Sequence, residues 1–324
     1  MRVIFWGTPN YAIESLEKLN NNNSFDIIAV VTQPDKRRSR GSTLLPSPIK
    51  KKALELGIKV FTPNRIKEDR YIQEQLSLLR PDIYVVIAFG QILPTLILEQ
   101  PKYGCWNAHG SLLPRWRGAA PIQWSLINGD NHTGVGIMAM EEGLDTGPIF
   151  LEEVLAIEES DDALTLSKKL SKLSASLLEK ALIKIKNLAD IGKNIETLNL
   201  TAQDTIEDRN VTYARRLEKT DYQINWNETS KNIINKIKGL IPYTYTTFKG
   251  KRIKIIKCQQ YFSENYKRSS IAGTILGIKR NTGILISTKT QPLLVTSIQL
   301  EGKKIADGNS LIQQINAQVG ESFI

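Results

Sequence analysis

Histidine and cysteine are scarce: the 324 residues contain two of each. Cys105 and Cys258 form no CxxC pair and no metal-ligand spacing, so neither a disulfide framework nor a metal site is expected. Long apolar runs are missing too, and none nears the roughly 18 residues a membrane-spanning helix needs. The opening Met-Arg-Val-Ile-Phe-Trp-Gly breaks at a glycine after four apolar residues, too soon for a secretory signal. A cytoplasmic protein without a membrane anchor is expected. Two catalytic signatures are absent as well. No Gly-x-Ser-x-Gly elbow presents a nucleophilic serine, although Ser111 lies two residues from His109. Gly7-Thr8-Pro9 follows the first apolar run, but no GxGxxG opens the next helix, which disfavours a dinucleotide cofactor.

Acidic charge is short in one place only. Residues 206–324 carry 19 Lys+Arg against 9 Asp+Glu, which leaves 24 of each in residues 1–205. The whole net charge of +10 therefore belongs to the C-terminal third. A neutral body with a basic appendage points to a polyanionic partner, nucleic acid before membrane, because no basic amphipathic helix is evident. A basic surface kept for solubility is the alternative.

Apolar runs at Val3–Trp6, Ile27–Val31, Ile83–Ala88 and Cys105–Ala108 read as buried strands. The helical patterns Tyr11–Leu19, Ile49–Leu56 and Asp69–Leu79 alternate with them. This rhythm predicts an α/β fold, a doubly wound and largely parallel sheet, with ligands gathered at the carboxyl ends of its strands. Gly134–Met140 and Ile149–Ala156 read as further strands, and the leucines of Ala163–Leu188 as a long helix packed on the sheet. Periodicity lapses around 190–206, an expected linker between a catalytic domain at 1–189 and a basic domain at 207–324. Past a helix at Asn227–Leu240, short β-rich segments separated by polar turns predict a small barrel.

The densest chemistry lies in Asn107-Ala-His109-Gly-Ser-Leu-Leu-Pro-Arg-Trp-Arg-Gly-Ala-Ala-Pro, followed by Glu-Gly-Leu-Asp145-Thr-Gly-Pro. Attack of an amine on an acyl group puts negative charge on the carbonyl oxygen. An asparagine amide and a protonated imidazole are suitable donors to that oxygen. His109 can also take the proton leaving the amine, and Asp145 can orient the ring and hold its charged form. A strand-end histidine is more commonly structural. Here Asn107, two residues away, projects from the same side of the strand, and a turn-borne carboxylate is available. His132 reads as a solvated loop residue. Arg115 and Arg117 suit either an acidic substrate group or a plain surface loop. Arg37, Arg38 and Arg40, in a turn-forming loop after the second strand, suit either solvent or phosphates.

These motifs resemble the folate-dependent formyltransferases. The likeness runs through Phe-Trp-Gly-Thr-Pro near the start, Val-Val-Thr-Gln-Pro-Asp, Ala-Phe-Gly-Gln-Ile-Leu-Pro at 88–94, the Asn107-x-His109 and Asp145 segments, Thr-Gly-Val-Gly-Ile-Met and Val-Thr-Tyr-Ala. It implies a Rossmann-type catalytic domain followed by an OB-like barrel that supports tRNA. The implied reaction carries formyl from 10-formyltetrahydrofolate to the α-amine of methionine on initiator tRNA. The implied catalytic residues are Asn107, His109 and Asp145. Ser111, Leu112, Leu113 and Pro114 would lie against the folate, with Phe89, Gly90 and Ile92 bordering its pterin. The loop of Arg37, Arg38 and Arg40 is similar to one that enters the tRNA acceptor end. No hydrophobic interface is legible, so a monomer is expected. Three departures stand out: Gly136 where the family commonly has Thr, Gly41-Ser42-Thr43 where a lysine pair usually follows, and Ile-Pro-Tyr-Thr-Tyr-Thr-Thr-Phe at 241–248. Two rivals stay open. One is formyl transfer to a small amine such as a nucleotide precursor or amino sugar; the other is a nucleic-acid-binding protein with a vestigial catalytic fold.

Overall fold

A computed structural model describes residues 1–37, 44–262 and 271–324. The chain divides into two compact units. The first holds Met1–Pro121, His132–Ile157 and Leu166–Arg215, and the second holds Ile122–Asn131, Glu158–Thr165 and Arg216–Ile324.

The first unit is built on a seven-stranded sheet. From one edge its strands are Ile149–Ala156, His132–Ala139, Cys105–His109, Ile83–Ile87, Arg2–Gly7, Asp26–Val31 and Val60–Phe61. The five from Cys105–His109 onward pair in parallel, as βαβ rhythm requires. The other two are antiparallel additions at one edge. Every residue of Ile83–Ile87 is buried, as expected for a strand covered on both faces. The intervening helices begin with local signals. Ser47 accepts the Lys50 N–H at 2.9 Å ahead of Pro48 at the first helical position, and Asp69 accepts the Ile72 N–H at 3.1 Å. The helix Ala163–Asp190 buries Leu166, Leu170, Leu177, Leu178, Ala181, Leu182 and Ile185, the stripe its sequence predicts.

Residues 190–206, expected as a linker, pack within the first unit, and its boundary falls at Arg215. Thr201 exchanges backbone hydrogen bonds with Ile149 at 2.8 Å each, which adds this polar segment to the edge of the sheet. Hydrophobic periodicity cannot reveal such a segment, because backbone and amide groups hold it.

The second unit is an antiparallel sheet with helices against it. The strand order is Tyr245–Phe248, Lys251–Gln260, Leu293–Leu300, Gly283–Ile286, Ile275–Lys279. The last residues of the chain bridge the two edge strands. Ile324 exchanges backbone hydrogen bonds with Thr247 at 2.9 and 2.8 Å, while the Ile275 N–H reaches the Glu321 carbonyl at 2.7 Å. With both edges engaged, the sheet closes in the manner the turn spacing predicted. Its interior holds Ile224, Trp226, Ile253, Ile255, Ile284, Ile286, Val295, Ile298 and Phe323. The helix Ser230–Leu240 approaches Pro121–Asn128 closely at Gly239. A Cβ there would stand 2.9 Å from the Ile127 side chain and 3.0 Å from the Gln123 carbonyl.

Candidate active site

Neither cysteine is available as a nucleophile. Burial pushes the Cys105 thiol far above its ordinary range and Cys258 up to about 12, so neither supplies thiolate near neutral pH. The candidate site is instead the polar cluster at the end of the Cys105–His109 strand.

That strand lies between Ile83–Ile87 and His132–Ala139, with Asn107 opposite Val86 and Met138, and His109 opposite Gly136. Asn107 is half-buried, and its amide makes no hydrogen bond among the described residues. His109 is only 6% exposed. Its Nε2 lies 2.9 Å from the Trp116 carbonyl, and a carbonyl only accepts, so Nε2 carries a proton in this arrangement. On the other side of the ring, Nδ1 stands 3.7 Å from Asp145 Oδ2. The same carboxylate oxygen accepts the Gly118 N–H at 2.8 Å. The carboxylate, the imidazole and the 111–118 loop are thus one hydrogen-bonded assembly, as the two polar turns of the sequence suggested.

Two of its members sit in the left-handed region, Asp145 at φ 53° and Trp116 at φ 63°. Aspartate tolerates this conformation; a bulky tryptophan does so only when its surroundings hold it. Thr212 supplies that hold: its hydroxyl accepts the Trp116 N–H at 2.9 Å, and its carbonyl accepts the Arg117 N–H at 2.9 Å. The strained residue is the one whose carbonyl fixes His109. The Arg115 guanidinium lies 4.5 Å over the Trp116 ring.

Gln203 completes the assembly, and it lies in a polar stretch that no sequence signal singles out. It is 4% exposed, and its Nε2 donates to the Asp145 carbonyl at 2.9 Å and the Gly147 carbonyl at 2.8 Å. Its Oε1 accepts from Arg117 Nε at 2.9 Å and a terminal guanidinium nitrogen at 2.8 Å. One amide thus clamps both turns, and Arg117 is a structural partner of the site. Gln203→Ala strands a half-buried guanidinium edge and two carbonyls. A loss of about 1–3 kcal/mol is expected, read as a lowered denaturation midpoint with an unchanged m-value. An unchanged midpoint would remove the clamp.

The other segments singled out from the sequence reach the structure in different ways. Ser111 is buried and donates to the Arg115 carbonyl at 2.6 Å. Leu113 is fully buried with Met138 and Ile149, so its side chain serves the core; Leu112 is half-buried and Pro114 buried. Phe89 also belongs to the core, edge-on to Trp6 at 5.1 Å, while its carbonyl accepts from Thr8 Oγ1 at 2.8 Å and Gln33 Nε2 at 3.2 Å. Gly90, at φ 88°, is open enough that a Cβ would meet only Gln33 Nε2, at 3.8 Å. Ile92 is 77% exposed. Arg37 is exposed on a two-residue strand paired with Leu44 and Leu45, while Arg38 and Arg40 lie outside the described residues. At Gly136 a Cβ would meet only the Ser111 carbonyl at 3.7 Å, so the glycine departure leaves the site's framework intact.

Residues 1–182 match the family described as formyl transferase, and residues 216–316 match the formyl transferase C-terminal domain. This chain belongs to the formyltransferase family. A methionyl-tRNA formyltransferase of Prochlorococcus marinus (strain MIT 9215) is 49% identical to it over 332 residues, covering all of both chains. Among solved structures, the sugar 3N-formyl transferase WlaRD, in the presence of dTDP and 5-N-formyl-THF, superposes with TM-score 0.63 at 22% identity. That match covers 94% of this formyltransferase and 99% of WlaRD. The N-formyltransferase of Helicobacter canadensis, in complex with folinic acid and dTDP-3-aminofucose, gives 0.62 at 22% identity, covering 90% and 98%. The polar assembly around His109 therefore sits in a formyl-transferring catalytic domain.

Proposed function

We propose that this formyltransferase moves the formyl group of 10-formyltetrahydrofolate to the α-amine of methionine on initiator methionyl-tRNA. Full-length identity to relatives that bear that name carries the reading. The site has the features the reaction needs. A half-buried amide at Asn107 has no partner among the described residues, and a Cβ at Gly90 would meet only Gln33 Nε2, at 3.8 Å.

One C–N bond forms at the methionine amine, and another breaks at the folate nitrogen. Asn107 donates its amide N–H to the formyl oxygen as that oxygen gains negative charge. His109, whose Nε2 already carries a proton, accepts at Nδ1 the proton that leaves the amine and returns it to the folate nitrogen as that C–N bond breaks; Asp145, 3.7 Å from Nδ1, stabilises the ring while it is charged. Ser111, Leu112, Leu113, Pro114, Phe89, Gly90 and Ile92 form the folate side of the site. Leu113 and Phe89 hold core positions, so they contribute by shaping the backbone there. The basic second unit holds the tRNA. The enzyme acts in the cytoplasm, where the charged tRNA is used, and works as a monomer.

The test offers labelled 10-formyltetrahydrofolate with initiator methionyl-tRNA, elongator methionyl-tRNA and an amino sugar side by side. Labelled formyl on the initiator species supports the reading, and transfer to the sugar alone ends it. Affinity for tRNA should also fall steeply as salt rises, because bound phosphates release counterions. Reversing the charge of Arg37, Arg38 and Arg40 together is expected to raise the KM for tRNA at least tenfold, roughly the scale of several lost phosphate contacts. Folate affinity should stay within about twofold. An equal loss in a folate titration would show that the loop does not divide the two substrates.

A further inference from the structure

The 241–248 segment that departs from the family pattern builds a second cluster, within the second unit. Residues alternate along Tyr245–Phe248, so Thr246 and Phe248 point inward while Tyr245 and Thr247 point out. On the neighbouring strand Lys254 stands directly opposite Tyr245, and Arg252 opposite Thr247. The outward face of this hairpin therefore carries a tyrosine between two cations. The Arg252 guanidinium lies 3.5 Å over the Tyr245 ring. Tyr243 adds a second ring, with the Lys254 ammonium 5.6 Å from its centroid, and Tyr222 meets Tyr243 edge-on at 5.9 Å. Together with Lys219 these side chains line a cleft of about 390 Å³.

Among the described residues the lining holds three phenol rings and three cations, and no carboxylate. The adjacent Asp221 is engaged elsewhere, accepting the Glu218 N–H at 2.7 Å. Tyr222 keeps its proton well into the alkaline range, because burial, Tyr243 and Asp221 all oppose its ionisation. Tyr243 is 57% exposed, so its ring can be reached from solvent. A flat π-surface ringed by positive charge complements a nucleobase joined to phosphates, the pairing that single-stranded nucleic acid sites use. Double-helical RNA presents phosphates but keeps its base faces stacked inside, so it would use the cations and leave the tyrosines bare.

We propose that this cleft seats an unpaired nucleotide of the bound RNA, its base stacked on Tyr243 and the flanking phosphates held by Lys219, Arg252 and Lys254. The inference rests on the tRNA reading above and adds a recognition site to it. A stacked base makes the second unit sensitive to unpaired nucleotides in the RNA, where phosphate contacts alone would not.

The experiment measures equilibrium binding of the full chain to initiator tRNA, to a short single-stranded RNA and to a blunt RNA duplex, over a range of salt. Tyr243→Ala is expected to weaken tRNA and single-stranded RNA binding on the order of tenfold, with an unchanged salt slope, and to spare the duplex. Tyr243→Phe should stay within about twofold of wild type. Tyr243→Leu keeps apolar bulk for folding but has no π-face, and should match the alanine variant. Arg252→Ala should instead reduce the salt slope by roughly 0.7–0.9. Wild-type affinity in Tyr243→Ala, or an equal loss on the duplex, overturns the stacking site while formyl transfer to tRNA stands. A wild-type chain that binds no tRNA at all ends the parent reading too, and the two failures are thereby told apart.

Discussion

Asn107→Ala is expected to lower kcat by about 10²–10³, the usual cost of one donor to a developing oxyanion, while both KM values stay within a few-fold. The split follows from where the amide sits. It has no hydrogen-bond partner among the described residues, so removing it costs the fold little. The interaction it forms strengthens only as charge builds on the formyl oxygen, so the loss falls on kcat rather than on binding. His109→Ala should lose at least as much, since the ring serves the amine proton and the charge distribution together. Residues acting as one unit are strongly non-additive, so the double variant should be little slower than the worse single one. Single-turnover transfer of labelled formyl checks all three, and near wild-type turnover in His109→Ala would remove the mechanism.

What could be read of this site from the sequence is what local rules carry. Two-residue spacing put Asn107 and His109 on one face of a strand, and glycine-bounded polar turns marked where Asp145 and the 111–118 loop would lie. The parallel sheet followed from alternating apolar runs and helical patterns, and the closed barrel from its turn spacing. What the sequence concealed is held by long-range polar contacts. Gln203 looks like any residue of a polar stretch, yet its amide ties together groups 56 to 86 positions away along the chain. Thr212 supports Trp116 from 96 residues away. No periodicity announces a buried glutamine or a threonine clamp, because each is defined by the carbonyls and N–H groups that folding brings to it. The same holds for the tyrosine cleft, whose members come from a hairpin and two separate turns. The terminal helix Gly308–Ile315 is hard to read from the sequence for another reason: its apolar positions, Leu311, Ile312 and Ile315, cover barely one turn.

Asp145 allows the electrostatic side of the mechanism to be separated from its architecture. Its Oδ2 does two things at once, accepting the Gly118 N–H at 2.8 Å and standing 3.7 Å from His109 Nδ1. Asparagine at this position can still accept the Gly118 N–H through its own oxygen, and it tolerates the left-handed backbone at φ 53°. It cannot supply the negative charge. Asp145→Asn should therefore melt close to wild type and lose up to about 10⁴ in kcat, the loss found when an orienting carboxylate beside a catalytic imidazole becomes an amide. Asp145→Ala removes the loop anchor as well and puts a Cβ-bearing residue without a local hydrogen bond into the left-handed region, at about 1–2 kcal/mol. It should show a comparable kinetic loss together with a lowered melting temperature. If Asp145→Asn keeps wild-type turnover and only Asp145→Ala fails, the carboxylate is an anchor for the 111–118 loop, and the charge on His109 must be met by the Trp116 carbonyl alone.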